Sequence, residues 1–294
     1  MIVHLNPKRV AICNGYHGCH GVIDIHNRLS GLQKISLDDD DFQPGDMIHV
    51  ETPLNPTGEA KDLQYYADKA HKAGAYLTVD ATFAPPPLQD PFAQGADIVM
   101  HSGTKYFGGH SDLLCGVLAL NPKWADRKPA LIMDRMMLGT VMGSLEGWLG
   151  IRSLRTLELR IKRQSETATA LVSWLSSQLG DSASAVAAVV DRVQHASLQP
   201  EAKDADSWLS KQMPGGFGPV FAIYMKDEEM AKALPSKLDL FQHATSLGGV
   251  ESLIEWRAMT DKGIDRKLLR VSIGLEGLED IKADLERAFK ALSA

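Results

Sequence analysis

Only three of the 294 residues are cysteine, at Cys13, Cys19 and Cys115. So few, and odd in number, they exclude a disulfide scaffold and point to a reducing compartment, the cytoplasm. No uninterrupted apolar run approaches the roughly 20 residues of a bilayer-spanning helix, and the opening MIVHLNPKR has too short an apolar stretch for a secretory signal. A membrane partner is not expected. No stretch of lysine and arginine interleaves with aromatics, and the net charge is −6, which argues against nucleic acid as the partner. Internal repeats are lacking, and the one biased tract, Asp38 to Asp41, reads as a loop. Two phosphate-binding signatures are missing as well. No G-x-G-x-x-G follows a strand-like run, and no glycine-rich turn of the Walker type precedes a lysine.

What is present is an ordinary globular composition, 44% hydrophobic and 23% charged, in a chain long enough for a sizeable core. The first half alternates short apolar runs with helical patterns. RVAIC, DMIHVET, AYLTVD and DIVMHS read as strands of a mostly parallel sheet covered on both faces. Between two of them, Leu63, Tyr66, Ala67 and Ala70 recur at helical spacing, with Asp62 as N-cap and Gly74 as the stop. Strand, helix, strand in that order is the βαβ pattern of an α/β fold. A long helical region then runs to about Gln178. VFAIYM, a helix near DEEMAKAL, LLRVSIGLE and a closing helix with Leu278, Ile281, Leu285, Phe289 and Leu292 on one stripe form a smaller α+β unit. We expect a large domain over residues 1–160 and a second over 161–294.

Ligands of open parallel sheets sit beyond the carboxyl ends of the strands. There AYLTVD ends at Asp80, and DIVMHS leads through Ser102 and Thr104 to Lys105, so an acid and a lysine can face one cleft. Pyridoxal 5′-phosphate (PLP) needs this set. An amine takes the aldehyde, an acid keeps the ring nitrogen protonated, and hydroxyl donors hold the phosphate. Asp80, Ser102, Thr104 and Lys105 supply those groups, and Tyr16, just past RVAIC, is available to stack on the ring. Each also has a structural alternative: Asp80 as a turn cap, Ser102 and Thr104 as turn hydroxyls, Tyr16 as packing. His17, Cys19 and His20 crowd into four residues without a second ligand pair at zinc spacing, so no metal is expected. His101 and His110 read as structural or supporting residues.

ETPLNPTGEAKDL, AHKAGAYLTVDATFAPPPLQDP, GADIVMHSGTKYFGGHSD and SLGGVESLIE together resemble the Cys/Met-metabolism, or trans-sulfuration, family of PLP-dependent enzymes. Its members include cystathionine γ-synthases, cystathionine lyases, methionine γ-lyases and O-acylhomoserine sulfhydrylases. The resemblance implies the aspartate-aminotransferase-like PLP fold, residues 1–160 being its PLP-binding part. Lys105 would form the Schiff base and shuttle protons, and Asp80 would pair with the pyridine nitrogen. Asn55 would bond the ring's phenolic oxygen and help hold the substrate carboxylate, and Ser102 and Thr104 would contact phosphate. Tyr16 would stack and act as a base. Arg270 would clamp the substrate's α-carboxylate, with Ser246 and Leu247 lining the same pocket.

Three departures stand out. The family's N-terminal segment, with its phosphate-binding helix start and its tyrosine and arginine that reach a neighbouring subunit, has no counterpart before RVAIC, so the large domain reads as N-terminally incomplete. Thr245 replaces a glutamate carried by several cystathionine-handling members, and WRAMTDK, residues 256–262, alters the rim. The position that holds cysteine in methionine γ-lyases is Gly18, which disfavours that activity. The expected function is γ-replacement on an O-acylhomoserine by a thiol such as cysteine, in a homo-oligomer. The alternatives are a C–S lyase, a condensing enzyme that uses a carbon nucleophile, or a non-catalytic homologue that binds a paralogue.

Overall fold

The computed structural model describes residues 1–293. Six strands form the first sheet: β1 (Arg9–Ile12), β2 (Gln33–Ile35), β3 (Met47–Glu51), β4 (Tyr76–Asp80), β5 (Ile98–Ser102) and β6 (Gly116–Leu120). Their spatial order is β2-β1-β3-β4-β5-β6. All neighbouring pairs are parallel except β5 with β6, which is antiparallel. The chain leaves β1 toward β2 on one side and later returns to β3 on the other. That reversal makes the β1–β3 gap the switch point where α/β sheets bind ligands. β3 is buried throughout and β4 at all but its first residue, as expected of strands covered on both faces.

The helices are α1 (Ile2–Leu5), α2 (His17–Ser30), α3 (Leu63–Lys72), α4 (Lys128–Met137), α5 (Ser144–Leu154), α6 (Leu157–Gln178), α7 (Ala185–Val189), α8 (Trp208–Gln212), α9 (Glu228–Ala233) and α10 (Leu278–Ser293). In α3 the Asp62 carboxylate accepts from the Tyr65 N–H at 3.2 Å, and Leu63, Tyr66, Ala67 and Ala70 are buried against the sheet. Gly74, at φ +71°, ends the element. Among the described residues no helix is long and apolar enough to cross a membrane.

The second sheet has the order β7-β8-β11-β10-β9, from β7 (Val190–Gln194), β8 (Val220–Met225), β9 (Gln242–His243), β10 (Leu253–Trp256) and β11 (Leu268–Ser272). Its pairs are antiparallel except β9 with β10. α10 lays Ile281, Leu285, Ala288 and Phe289 onto its core, with Leu278 and Leu292 at the edge. The architecture is α/β with a smaller α+β part.

Several details differ from the sequence reading, which named none of α1, α2, α4, α7 and α8. The long helical region is two helices, broken at Thr156, whose backbone (φ −117°, ψ 4°) leaves the helical range. β2, β7, β9 and β10 escaped sequence analysis because each is short and carries polar or charged residues. Residue 160 falls in the first turn of α6. The start of that helix, Leu157 and Ile161, packs with Phe83, Leu88 and Tyr106, whereas Leu171, Val172 and Leu175 enter the second core.

Candidate active site

Four strand ends converge on one cavity of about 600 Å3. β1 leads to Tyr16, β3 ends at Glu51, β4 at Asp80, and β5 runs through Ser102 into the turn that carries Lys105. Thr245, Ser246, Leu247 and Arg270 close it from the second sheet. Tyr16, Asn55, Asp80, Ser102, Thr104, Lys105, Ser246, Leu247 and Arg270 all line this one space, although they span most of the sequence.

Lys105, in the turn after β5, faces the loop between β9 and β10. Its Nζ donates to Ser246 Oγ at 3.1 Å. Burial first, then the Arg270 charge, lowers its pKa, against a smaller opposing pull from Glu255. The Ser246–Gly249 loop reaches the lysine because Gly248 has no side chain. At φ +83°, a Cβ there would lie 2.9 Å from the Lys105 carbonyl carbon and 3.0 Å from its Cα.

Asp80 is buried, and its Oδ1 accepts from Thr82 N–H at 3.0 Å and Thr82 Oγ1 at 2.6 Å. The Thr82 hydroxyl also receives the Ser102 N–H at 2.8 Å, which ties the ends of β4 and β5 together. The Thr104 hydroxyl is anchored to the Cys115 backbone, whose N–H it accepts at 3.1 Å. Tyr16 is exposed at the cavity mouth, its ring 4.8 Å from that of His17.

Arg270, in the middle of apolar β11, is paired inside the protein. Its Nη2 lies 2.7 Å from Glu255 Oε2 and donates to the carbonyls of Thr245 and Ser246, while Nη1 reaches Asn55 Oδ1 at 3.4 Å. Burial pulls its pKa down to about 10, and Glu255 opposes that shift. Arg257 Nη1 sits 3.1 Å from the other Glu255 oxygen, so one carboxylate serves two buried guanidiniums.

Sequence analysis assigned no role to Glu51, Glu255 or Thr82. Glu51 had a usable signal, since it ends an apolar strand as Asp80 does, and the register sets the two side by side. Its oxygens accept the N–H groups of Tyr16 at 2.8 Å and Asn55 at 2.7 Å, fixing both backbones. Glu255 had none: its meaning rests on the cross-strand pairing with Arg270. His110 Nδ1 lies 2.9 Å from Gly108 O and 3.2 Å from Ser153 Oγ, within the local turn. His101, pushed down to about 4 by burial, lines a second and larger cavity of about 1200 Å3 between the sheet, α1, α2 and α4. Tyr16, Asp80 and Ser102 form the wall common to both cavities.

The chain matches the model of the "Cys/Met metabolism PLP-dependent enzyme" family over residues 40–290. It is 36% identical over 258 residues to a cystathionine gamma-synthase of Escherichia coli, a match covering 83% of this chain and 63% of that protein. It is 33% identical over 254 residues to a cystathionine beta-lyase of Lactococcus lactis, with the same two coverages. The chain thus spans about 63% of the length of these curated relatives. Among solved structures, metB from Corynebacterium glutamicum superposes with a TM-score of 0.85 at 30% identity, covering 99% of this chain and 79% of the other. A cystathionine gamma synthase from Xanthomonas oryzae pv. oryzae gives 0.85 at 28% identity, covering 100% and 79%. With the family match extending over most of its residues, the chain belongs to the Cys/Met metabolism family of PLP-dependent enzymes.

Proposed function

We propose that the chain binds PLP through Lys105 and carries out γ-replacement on an O-acylated homoserine, with a thiol such as cysteine as the incoming group. The observation that carries this reading is the convergence of the Lys105 amine, the Asp80 carboxylate and the Arg270 guanidinium on one cavity of about 600 Å3. The donor set fits the cofactor. An amine with a lowered pKa offers more of its nucleophilic neutral form. A buried acid with one oxygen already held by Thr82 leaves the other for a ring N–H. Ser102, beside the lysine turn, offers a hydroxyl to phosphate.

PLP, when bound, supplies an aldehyde for the amine and a ring that withdraws electrons from the reacting carbon. The chain supplies the rest. Asp80 would hold a proton on the ring nitrogen. Lys105 would be placed to take a proton from the substrate Cα and to return it. Arg270 presents a planar guanidinium to the α-carboxylate, and Glu255 fixes its plane. Ser246 gives Nζ its hydrogen-bond partner in the absence of substrate.

Borohydride reduction of the chain with PLP, followed by peptide mapping, tests the cofactor site. A label on Lys105 that Lys105→Ala abolishes is expected. No label, or one on another lysine, sinks the reading. Incubation with O-acylhomoserine and cysteine tests the reaction. A thioether product supports replacement, whereas a keto acid and ammonia formed from the thioether itself make the protein a C–S lyase.

A further inference from the structure

One buried cation of the candidate active site has no part in the chemistry described so far. β10 ends at Trp256 and passes at once into a single turn of 3-10 helix, Arg257–Met259. Sequence analysis placed residues 256–262 at the rim. The structure instead buries Arg257, which is only 3% exposed, in the wall of the cavity of about 600 Å3 that Arg270 also lines.

The Arg257 guanidinium is engaged on one side only. Nη1 donates to Glu255 Oε1 at 3.1 Å, to Glu255 Oε2 at 3.3 Å and to Thr260 Oγ1 at 3.2 Å. The Thr260 hydroxyl donates in turn to Glu255 Oε1 at 2.7 Å, which closes a ring and fixes the plane of the guanidinium. Among the described residues, every side-chain hydrogen bond of Arg257 comes from Nη1, and the buried Nε has no partner. Nε–H and the adjacent Nη2–H point the same way, and together they are a fork that takes a carboxylate bidentately. A buried N–H without an acceptor is costly, and more so on a charged group.

The charges point to the same kind of ligand. Arg257 and Arg270 both contact Glu255 Oε2, at 3.3 and 2.7 Å. Two guanidiniums on one carboxylate leave an excess positive charge where burial makes charge expensive. The other carboxyl groups of the cavity are engaged elsewhere, Glu51 with the N–H groups of Tyr16 and Asn55 and Asp80 with Thr82. One carboxylate from a ligand balances the group, and a second would overshoot.

We propose that Arg257 is a second substrate-binding residue, which shares the α-carboxylate of the amino-acid substrate with Arg270. Arg257 meets that carboxylate with its Nε–H and Nη2–H fork. Arg270 meets it with Nη1, which is held only by a long 3.4 Å contact to Asn55 Oδ1. This role deepens the proposed function and rests on it. It also sets a specificity: with two guanidiniums committed to one anion, the site takes amino acids with a free α-carboxylate and discriminates against their α-carboxamides.

The test is calorimetric titration of the PLP-loaded chain with three ligands that carry no γ-leaving group: L-norvaline, its α-carboxamide, and L-glutamate, which adds a second carboxylate to the same carbon skeleton. Arg257→Met should weaken norvaline binding at least about tenfold, the loss of a charge-assisted bidentate contact, and change carboxamide binding by less than about threefold. Arg257→Lys keeps a cation beside Glu255 but not the fork, and should fall between. Circular dichroism confirms the fold of each variant, and Arg257→Lys alone decides if Arg257→Met does not fold. Unchanged norvaline affinity, or equal losses for the acid and its amide, overturns the role. A loss confined to L-glutamate assigns Arg257 to a distal carboxylate and overturns it too. Borohydride labelling of Lys105 in the same samples separates the two readings. A labelled chain with unchanged affinities loses only the Arg257 role, whereas an unlabelled one sinks the PLP reading and this role with it.

Discussion

Glu51 joins Tyr16 and Asn55 through two backbone N–H groups, which favour its charged form. Burial, and then the neighbouring charge of Asp80, outweigh them and push its pKa from 4.5 to about 8. The folded chain therefore keeps a proton that the unfolded chain has released between those two values. Stability due to this group is fully present at low pH and falls as pH rises through the window, by up to ~1.4 kcal/mol per pH unit. Glu51→Gln removes the titration, so urea unfolding at about pH 5 and pH 8 should show a smaller loss across the interval than the parent chain does. Equal losses would mean that Glu51 is ionised in the fold. Glu255 is a carboxylate held between Arg257 and Arg270. Glu255→Ala leaves two buried cations without a counter-charge and should cost about 3–5 kcal/mol. A loss below about 1 kcal/mol in denaturant would show that water takes over the pairing.

Among the elements, the loop from Ser246 to Gly249 joins the second sheet to the lysine turn, and Gly248 makes the contact. Gly248→Ala adds a methyl group 2.9 Å from the Lys105 carbonyl carbon at a left-handed φ of +83°. Strain of about 1–3 kcal/mol is expected from the backbone alone, with weaker PLP labelling at Lys105. An unchanged thermal midpoint together with unchanged labelling would show that the loop yields freely. The elements around the site were legible in the sequence, since β3, β4, α3 and α10 each carry a period of two or 3.6 or a continuous apolar run. The break at Thr156 was not, because Arg155 and Thr156 interrupt no apolar pattern. β10 was missed for a related reason: Glu255 in its centre looks like a surface residue until Arg270 faces it across the sheet.

Across the whole molecule, apolar side chains are left uncovered along α4, α5 and the start of α6. α4 buries none of its residues and α5 buries only Ser153. Met137 is 76% exposed and Trp148 61%, and Leu145, Ile151, Leu154 and Leu159 are exposed as well. A surface of this kind marks an interaction site rather than a solvated face. We predict that the chain self-associates, and that Met137→Glu combined with Trp148→Glu shifts its sedimentation to that of a monomer. A parent chain already monomeric at micromolar concentration would refute this.

From composition and local pattern alone, the sequence determined the α/β class, the strand–helix alternation, and the chemical types gathered at the strand ends. These depend on neighbours within a few residues, or on quoted motifs such as HSGTKYFGGHSD. Only the tertiary structure decided which charges meet. Parallel register sets Glu51 beside Asp80, antiparallel register sets Glu255 beside Arg270, and the packing of α2 over the sheet brings Cys19 to His49 and Asp80. Such pairings join residues separated by tens of positions, and in a buried site their energy depends on distance and on lost solvent, neither of which is written in the order of the residues.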